Sequence, residues 1–286
     1  MQPITISCAD GLTLRAHLFK TQQQKLKGVV QLNPATGVPE RLYYDFAQAL
    51  SEQGYDVLTY NYRGVSSHKQ DSKKVRAGFT TWADLDVEAV TEYLAQHYPH
   101  LPHFAVGHSF GGHAIGLCKS TRYLTAAILI SSHTGCIRFI RPLSEWLKAA
   151  LMLKLIGPVS SWLCGYFPGK ALKFGENMPA QVMYEWYRWT SMPNYFFDDA
   201  SVQAVSRFAQ QQLPILSIGF ADDPWAPSEA IDLLAKYFVN SPVERRQFQP
   251  SDSNYQAIGH INFFRKRHEH SLWPFIYRWL EQQNAK

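Results

Sequence analysis

A chain of 286 residues, 46% of them apolar and 18% charged, is long enough for one large domain or a domain carrying an insertion. Its 28 Lys and Arg against 23 Asp and Glu leave a net charge of +5, and the basic residues are scattered, which argues against nucleic acid as a partner. Four cysteines, Cys8, Cys118, Cys136 and Cys164, form no CxxC pair, exclude a disulfide scaffold and fit a reducing cytoplasm.

The opening "MQPITISCADGLTLRAHLF" reads as two strands around a turn at Asp10-Gly11, without the basic head and apolar core of a signal peptide. A buried strand in "KGVVQLNP" follows, then a helical pattern over Glu40–Gln53 and a second strand in "YDVLTYNYRG". The alternation repeats with a helix at Thr81–Gln96, the strand "HFAVGHS", a helix over Phe110–Lys119 and the strand "LTAAILISS". Such a pattern predicts an α/β fold with a mainly parallel sheet flanked by helices.

From His133 to Gln212 the alternation stops, and the text becomes rich in Trp, Tyr and Phe with prolines at 142, 158, 168, 179 and 193. We expect a helical cap over residues 133–212, inserted into a core of residues 1–132 and 213–286. Trp162, Trp186, Trp189, Tyr184 and Tyr187 are expected chiefly to form the cap's core, some of them lining an apolar pocket. The most membrane-like stretch, Ala149–Phe167, is interrupted by Lys154 and by Gly157-Pro158 and reads as two short helices without stable membrane insertion. The sheet pattern resumes with "PILSIGF", a helix at Ser228–Phe238, the strand "VERRQFQ", a loop to His260 and a last helix around Leu272–Gln283.

Chemistry concentrates where the strand "HFAV" runs into "GHSFGG" and a helix, so that Gly107-x-Ser109-x-Gly111 sits on a strand-to-helix turn, the context a nucleophile elbow requires. A serine hydroxyl needs a base to take its proton. Of the 11 histidines, His97, His100, His103, His113, His268 and His270 have ordinary structural readings. His260, in "AIGHINFF" after the last strand, stands where a loop can swing an imidazole over the carboxyl ends of the strands. A carboxylate must then fix the tautomer of that ring. "GFADDPWAP" offers Asp222 and Asp223 at the end of the next-to-last strand, although an aspartate before a proline is also a common helix start. Asp84 and Asp86, on the early helix, read as caps or solvated charges.

Through "GHSFGG", "GFADDPWAP" and "IGHINFF", with the alternating pattern along nearly the whole length, the chain resembles the α/β-hydrolase superfamily. It is most similar to the capped esterase, lipase and serine-aminopeptidase-like branch, including bacterial hydrolases that share "NPATGVPERLYY" and "GHxxFF". The resemblance implies an oxyanion hole made by a backbone N–H after the first parallel strand and a second from the residue following the nucleophile. By position the first is Ala35, with Thr36 as the alternative, and the second is Phe110. The usual His-Gly is replaced by Asn33-Pro34, and "NYRG" carries Asn61 where relatives often have Asp. The Gly-x-x-Asp spacing of the family points to Asp222 and the Asp-x-x-x-Pro spacing to Asp223. Asp223 is favoured because Pro224 biases it toward extended backbone, where neighbours face opposite ways.

The expectation is a serine hydrolase cleaving carboxylic esters that have an apolar acyl or alcohol part, with Ser109, His260 and Asp223 or Asp222 acting through an acyl-enzyme. Thioester hydrolysis, aminopeptidase-like amide hydrolysis and acyl transfer use the same groups, and a catalytically silent ligand-binding member of the fold is the rival from another class. With no Gly-rich nucleotide loop and no His/Cys cluster at zinc spacing, no cofactor or metal is expected.

Overall fold

The computed structural model describes residues 1–66, 69–254 and 256–284. Its main sheet is built from β1 (Gln2–Ser7), β2 (Thr13–Phe19), β3 (Gly28–Asn33), β4 (Tyr55–Tyr60), β5 (His103–His108), β6 (Ala126–Ile130), β9 (Ile215–Phe220) and β10 (Val243–Phe248). A small antiparallel pair, β7 (Tyr166–Phe167) and β8 (Met178–Pro179), lies between β6 and β9 in the chain. The order across the main sheet is β1-β2-β4-β3-β5-β6-β9-β10. β1 and β2 form an antiparallel hairpin, β2 joins β4 antiparallel, and every later pairing is parallel.

The central strands β3, β4, β5, β6 and β9 are buried at every residue, which is why they read as continuous apolar runs. β10 closes the edge and alternates partly buried with exposed side chains before its last residue. One face is covered by helices Tyr44–Glu52 and Trp273–Asn284, through Phe46, Leu50, Trp273, Ile276 and Leu280. The other carries the helix from Phe79 to His97 and the helix Phe110–Leu117, through Trp82, Val90, Leu94 and Ile115.

The strand order reverses at β3, whose neighbours are β4 on one side and β5 on the other. Open parallel sheets form a crevice at such a point, outside the carboxyl ends of the strands. Asn33 pairs with Gly107 there, so the loop Pro34-Ala35-Thr36 and the turn at Ser109 leave the sheet side by side.

Three expectations change. Leu143–Cys164 is one helix of 22 residues instead of two, because a wide i→i+5 turn over Met152–Ile156 carries it past Gly157-Pro158. Asp86 is neither a cap nor solvated: it is fully buried and accepts from the Arg63 amide at 2.8 Å and from Arg63 Nε at 2.6 Å. Burial pushes its carboxyl up to about 6 against the pull of that guanidinium. Among the aromatics between β6 and β9, Trp189 is buried, but Trp162, Tyr184 and Tyr187 face solvent. Asn61 is structural, accepting from the Glu40 amide at 2.9 Å and donating to its carboxylate at 3.1 Å.

Candidate active site

Ser109 ends β5 with φ 51° and ψ −112°, a backbone conformation L-residues rarely adopt, immediately before helix Phe110–Leu117. The turn closes only because its flanking residues lack side chains. A Cβ on Gly107 would fall 2.4 Å from the Gly111 carbonyl carbon, and one on Gly111 would fall 2.1 Å from the Asn33 carbonyl oxygen. The Ser109 amide donates to the Ile130 carbonyl at 2.8 Å, and its side chain faces a cavity bordered by Thr36, His133 and His260.

The two aspartates have separate partners. Asp223 Oδ2 lies 2.8 Å from His260 Nδ1, while its Oδ1 accepts from the Trp225 and Ala226 amides at 3.0 and 3.1 Å. Burial pushes the Asp223 carboxyl up, but the His260 ring, His133 and the Ala226 amide outweigh it and hold the group at about 2. An ionised acceptor leaves the proton on Nδ1, so the lone pair of His260 Nε2 is available on the cavity side. Asp222 turns away from the ring and grips its loop, accepting from the Ile258 amide at 2.8 Å and the Gly259 amide at 3.0 Å. Among the described contacts Ser109 Oγ makes no hydrogen bond to the imidazole, although both groups border one cavity, a looseness common in unliganded sites.

The Ala35 amide donates to Tyr43 Oη at 2.8 Å and is therefore committed to the core, which shifts the first-donor expectation to its alternative, Thr36. Thr36 and Phe110 both border the cavity at Ser109, and among the described contacts neither amide has an acceptor. A polar relay runs on from Tyr43, whose hydroxyl donates to His108 Nδ1 at 2.9 Å while His108 Nε2 donates to the His260 carbonyl at 2.7 Å. Burial, then the neighbouring His260, pushes the His108 ring down to about 3, so it stays neutral and keeps one acceptor and one donor. This relay ties the loop after β3 to the loop carrying His260.

Two cavities meet at Ser109. The inner one, about 20 Å³, lies among Phe110, His113, Cys136, Ile140, Leu153 and Tyr195. The outer one, about 270 Å³, is bordered by Val38, Phe174, Trp225, His260 and Ile261, and Trp186 borders both. His113 donates from Nε2 to the His133 carbonyl at 2.7 Å and leaves its buried Nδ1 without a partner. Among the described residues no His, Cys, Asp or Glu group is arranged to hold a metal ion.

The family model for serine aminopeptidase, S33, matches residues 24–165. Among solved structures, the fold is similar to a soluble variant of monoglyceride lipase from Saccharomyces cerevisiae bound to a substrate analog, with TM-score 0.70, 15% identity and coverage of 99% of this chain and 96% of that one. A thermostable carboxyl esterase from Bacillus coagulans, in complex with glycerol, matches with TM-score 0.67, 16% identity and coverage of 99% and 98%. Est1E from Butyrivibrio proteoclasticus, with ferulic acid bound, matches with TM-score 0.63, 16% identity and coverage of 99% and 100%. The chain has the α/β-hydrolase fold.

In this hydrolase the surroundings of the elbow hold residues that sequence reasoning passed over. His113 had an ordinary helical reading and instead borders the inner cavity, while His133 and Tyr43 were not singled out. One signal was available for His108, an ionisable residue that ends a buried strand immediately before the serine.

Proposed function

We propose that this hydrolase cleaves carboxylic esters through an acyl-enzyme formed on Ser109. The observation that carries the reading is the Asp223–His260 pair at 2.8 Å, beside a serine held in strained geometry at the mouth of a cavity. His260 Nε2 takes the Ser109 proton as the hydroxyl oxygen attacks the carbonyl carbon, and Asp223 stabilises the imidazolium. The Thr36 and Phe110 amides hold the oxyanion. His260 then gives its proton to the leaving alcohol, and water, activated by the same ring, releases the acid. Likeness to a carboxyl esterase and a monoglyceride lipase favours esters over amides.

The two cavities divide the substrate. The leaving oxygen must lie within proton reach of His260, which borders the outer cavity and not the inner one. The alcohol part therefore occupies the larger, mostly apolar outer space. The acyl part points to the inner one, whose 20 Å³ is roughly the room of one water molecule. Short acyl groups on bulky apolar alcohols are the substrates this shape fits, with the segment between β6 and β9 acting as a cap over them.

A fluorophosphonate probe tests the chemistry: the wild-type protein should label and Ser109→Ala should not, and equal labelling of the two would end the reading. For the acyl assignment, kcat/KM on p-nitrophenyl esters should fall about tenfold or more with the first methylenes beyond acetate. Leu153→Ala, which opens the inner wall, should recover the longer esters. A flat chain-length profile in both proteins would reverse the assignment of the two cavities.

A further inference from the structure

Helix Leu143–Cys164 has two faces of opposite character, each repeating every four residues. Ala149, Leu153, Gly157 and Ser161 are buried, with Gly157 so close to helix Ala180–Trp189 that a Cβ would lie 2.5 Å from Met183 Sδ. Leu147, Leu151, Leu155, Val159 and Leu163 form the opposite stripe and are 46–69% exposed, joined by Leu143 at 69% and Trp162 at 75%. On a regular helix a four-residue repeat drifts by roughly 40° per step. The wide turn at Met152–Ile156 takes up part of that drift, so the apolar stripe stays on one side along a helix of about 33 Å. Single exposed leucines are ordinary on protein surfaces, whereas a continuous stripe marks a site of interaction.

The charge around the stripe identifies what it meets. Residues 137–175 contain Arg138, Arg141, Lys148, Lys154, Lys170 and Lys173 against Glu145 alone, so this stretch carries a surplus equal to the net +5 of the whole chain. Arg141 is exposed just before the helix, and beyond its far end Gly165 abuts the Lys73 side chain, with Lys74 exposed beside it. Lys148 is exposed and paired with Glu145 at 2.7 Å. Lys154 is turned inward onto the Tyr187 carbonyl and the Thr190 hydroxyl, leaving the stripe itself apolar. A two-fold pairing of identical chains would set these cations against one another, whereas an anionic surface would neutralise them.

We propose that this face docks on an anionic lipid surface. The helix is long and apolar enough to cross a bilayer, but its other side is seated on protein, so it lies in the interfacial plane with the leucines and Trp162 in the acyl boundary and the flanking cations among the headgroups. The same helix supplies Leu153 to the inner cavity at Ser109, so the lipid contact lies across the width of one helix from that cavity.

The test is independent of ester hydrolysis and uses the full chain carrying Ser109→Ala, sedimented with vesicles of pure phosphatidylcholine or of phosphatidylcholine with phosphatidylglycerol. Binding to the anionic vesicles is expected, weakened by salt and reduced about tenfold or more by Leu151→Asp with Leu155→Asp. In the wild-type background the same pair should leave the melting temperature and turnover of a water-soluble ester unchanged. Absence of binding, or equal binding of the double variant, overturns the proposal. A wild-type dimer in solution that the double variant abolishes also overturns it, by assigning the face to a second copy.

Discussion

Asp223→Asn is expected to lower kcat by roughly ten-thousandfold, and Asp222→Asn by only about tenfold. Asp223 Oδ2 is the acceptor for His260 Nδ1, and an amide there can present its NH2 instead, moving the imidazole proton to Nε2 and blocking proton transfer from Ser109. Asp222 touches the loop backbone, where Asn retains one acceptor and leaves one amide, of Ile258 or Gly259, without its partner. The loop then loses definition while the tautomer is preserved. Steady-state kinetics on a soluble ester, with the rate of fluorophosphonate labelling as a second readout, separate the two. A larger loss at 222 than at 223 would reverse these roles.

Acidification should destabilise this protein from pH 6.5 downward, above the ordinary range of a carboxylate. Burial pushes His108 and His113 to about 3 and His133 to about 4, each from an ordinary value of 6.5. The folded state therefore binds fewer protons than the unfolded one between those limits, and stability is lost as pH falls below the unfolded value. Each ring contributes a loss of about 2 kcal/mol between pH 7 and pH 5, and the three together about 6 kcal/mol, of which proton uptake by Asp86, held up to about 6 in the folded state, offsets about 1 kcal/mol. That is comparable to the whole stability of an ordinary domain, about 5–15 kcal/mol. Asp223, held at about 2, adds its own loss only below its ordinary 3.8. Urea midpoints at pH 7, 6 and 5 measure the effect, and His113→Gln should make the decline shallower by about a third. A midpoint that stays level down to pH 4 would show that these rings are hydrated in the folded state.

What could be read from the chain followed from how local each signal was. The alternation of apolar runs with amphipathic stretches predicted the sheet, and "GHSFGG" located the elbow because two close backbone approaches leave room only for glycine at 107 and 111. The choice between neighbouring aspartates rested on Pro224 and the alternation of an extended strand end, and the carboxylate of Asp223 is the one beside His260. In the loop after β3 the amide of Ala35 donates to Tyr43, a contact no spacing in "NPATGVPERLYY" reveals, and this is what moves the proposed first oxyanion donor to the alternative, Thr36. Gly157-Pro158 looked like a break because proline ordinarily costs a helical hydrogen bond, and a wide turn absorbs that loss. Trp162 was taken for a core residue on hydrophobicity alone, which cannot distinguish an interior side chain from one on an apolar outer face.

Asp222 and Asp223 are adjacent at the end of β9, and between them they hold both the backbone and the ring of the loop around His260. The loop is thus registered directly against a central strand, not through the chain that leads to it. Helix Ser228–Ala235, β10 and the turns between them form a detour whose length does not set where the imidazole sits. Insertions at the exposed turn around Val239 and Asn240 can accordingly accumulate at the sheet edge over evolutionary time, or be engineered there as sites for tags and fused domains, while the Asp223–His260 geometry passes through unchanged.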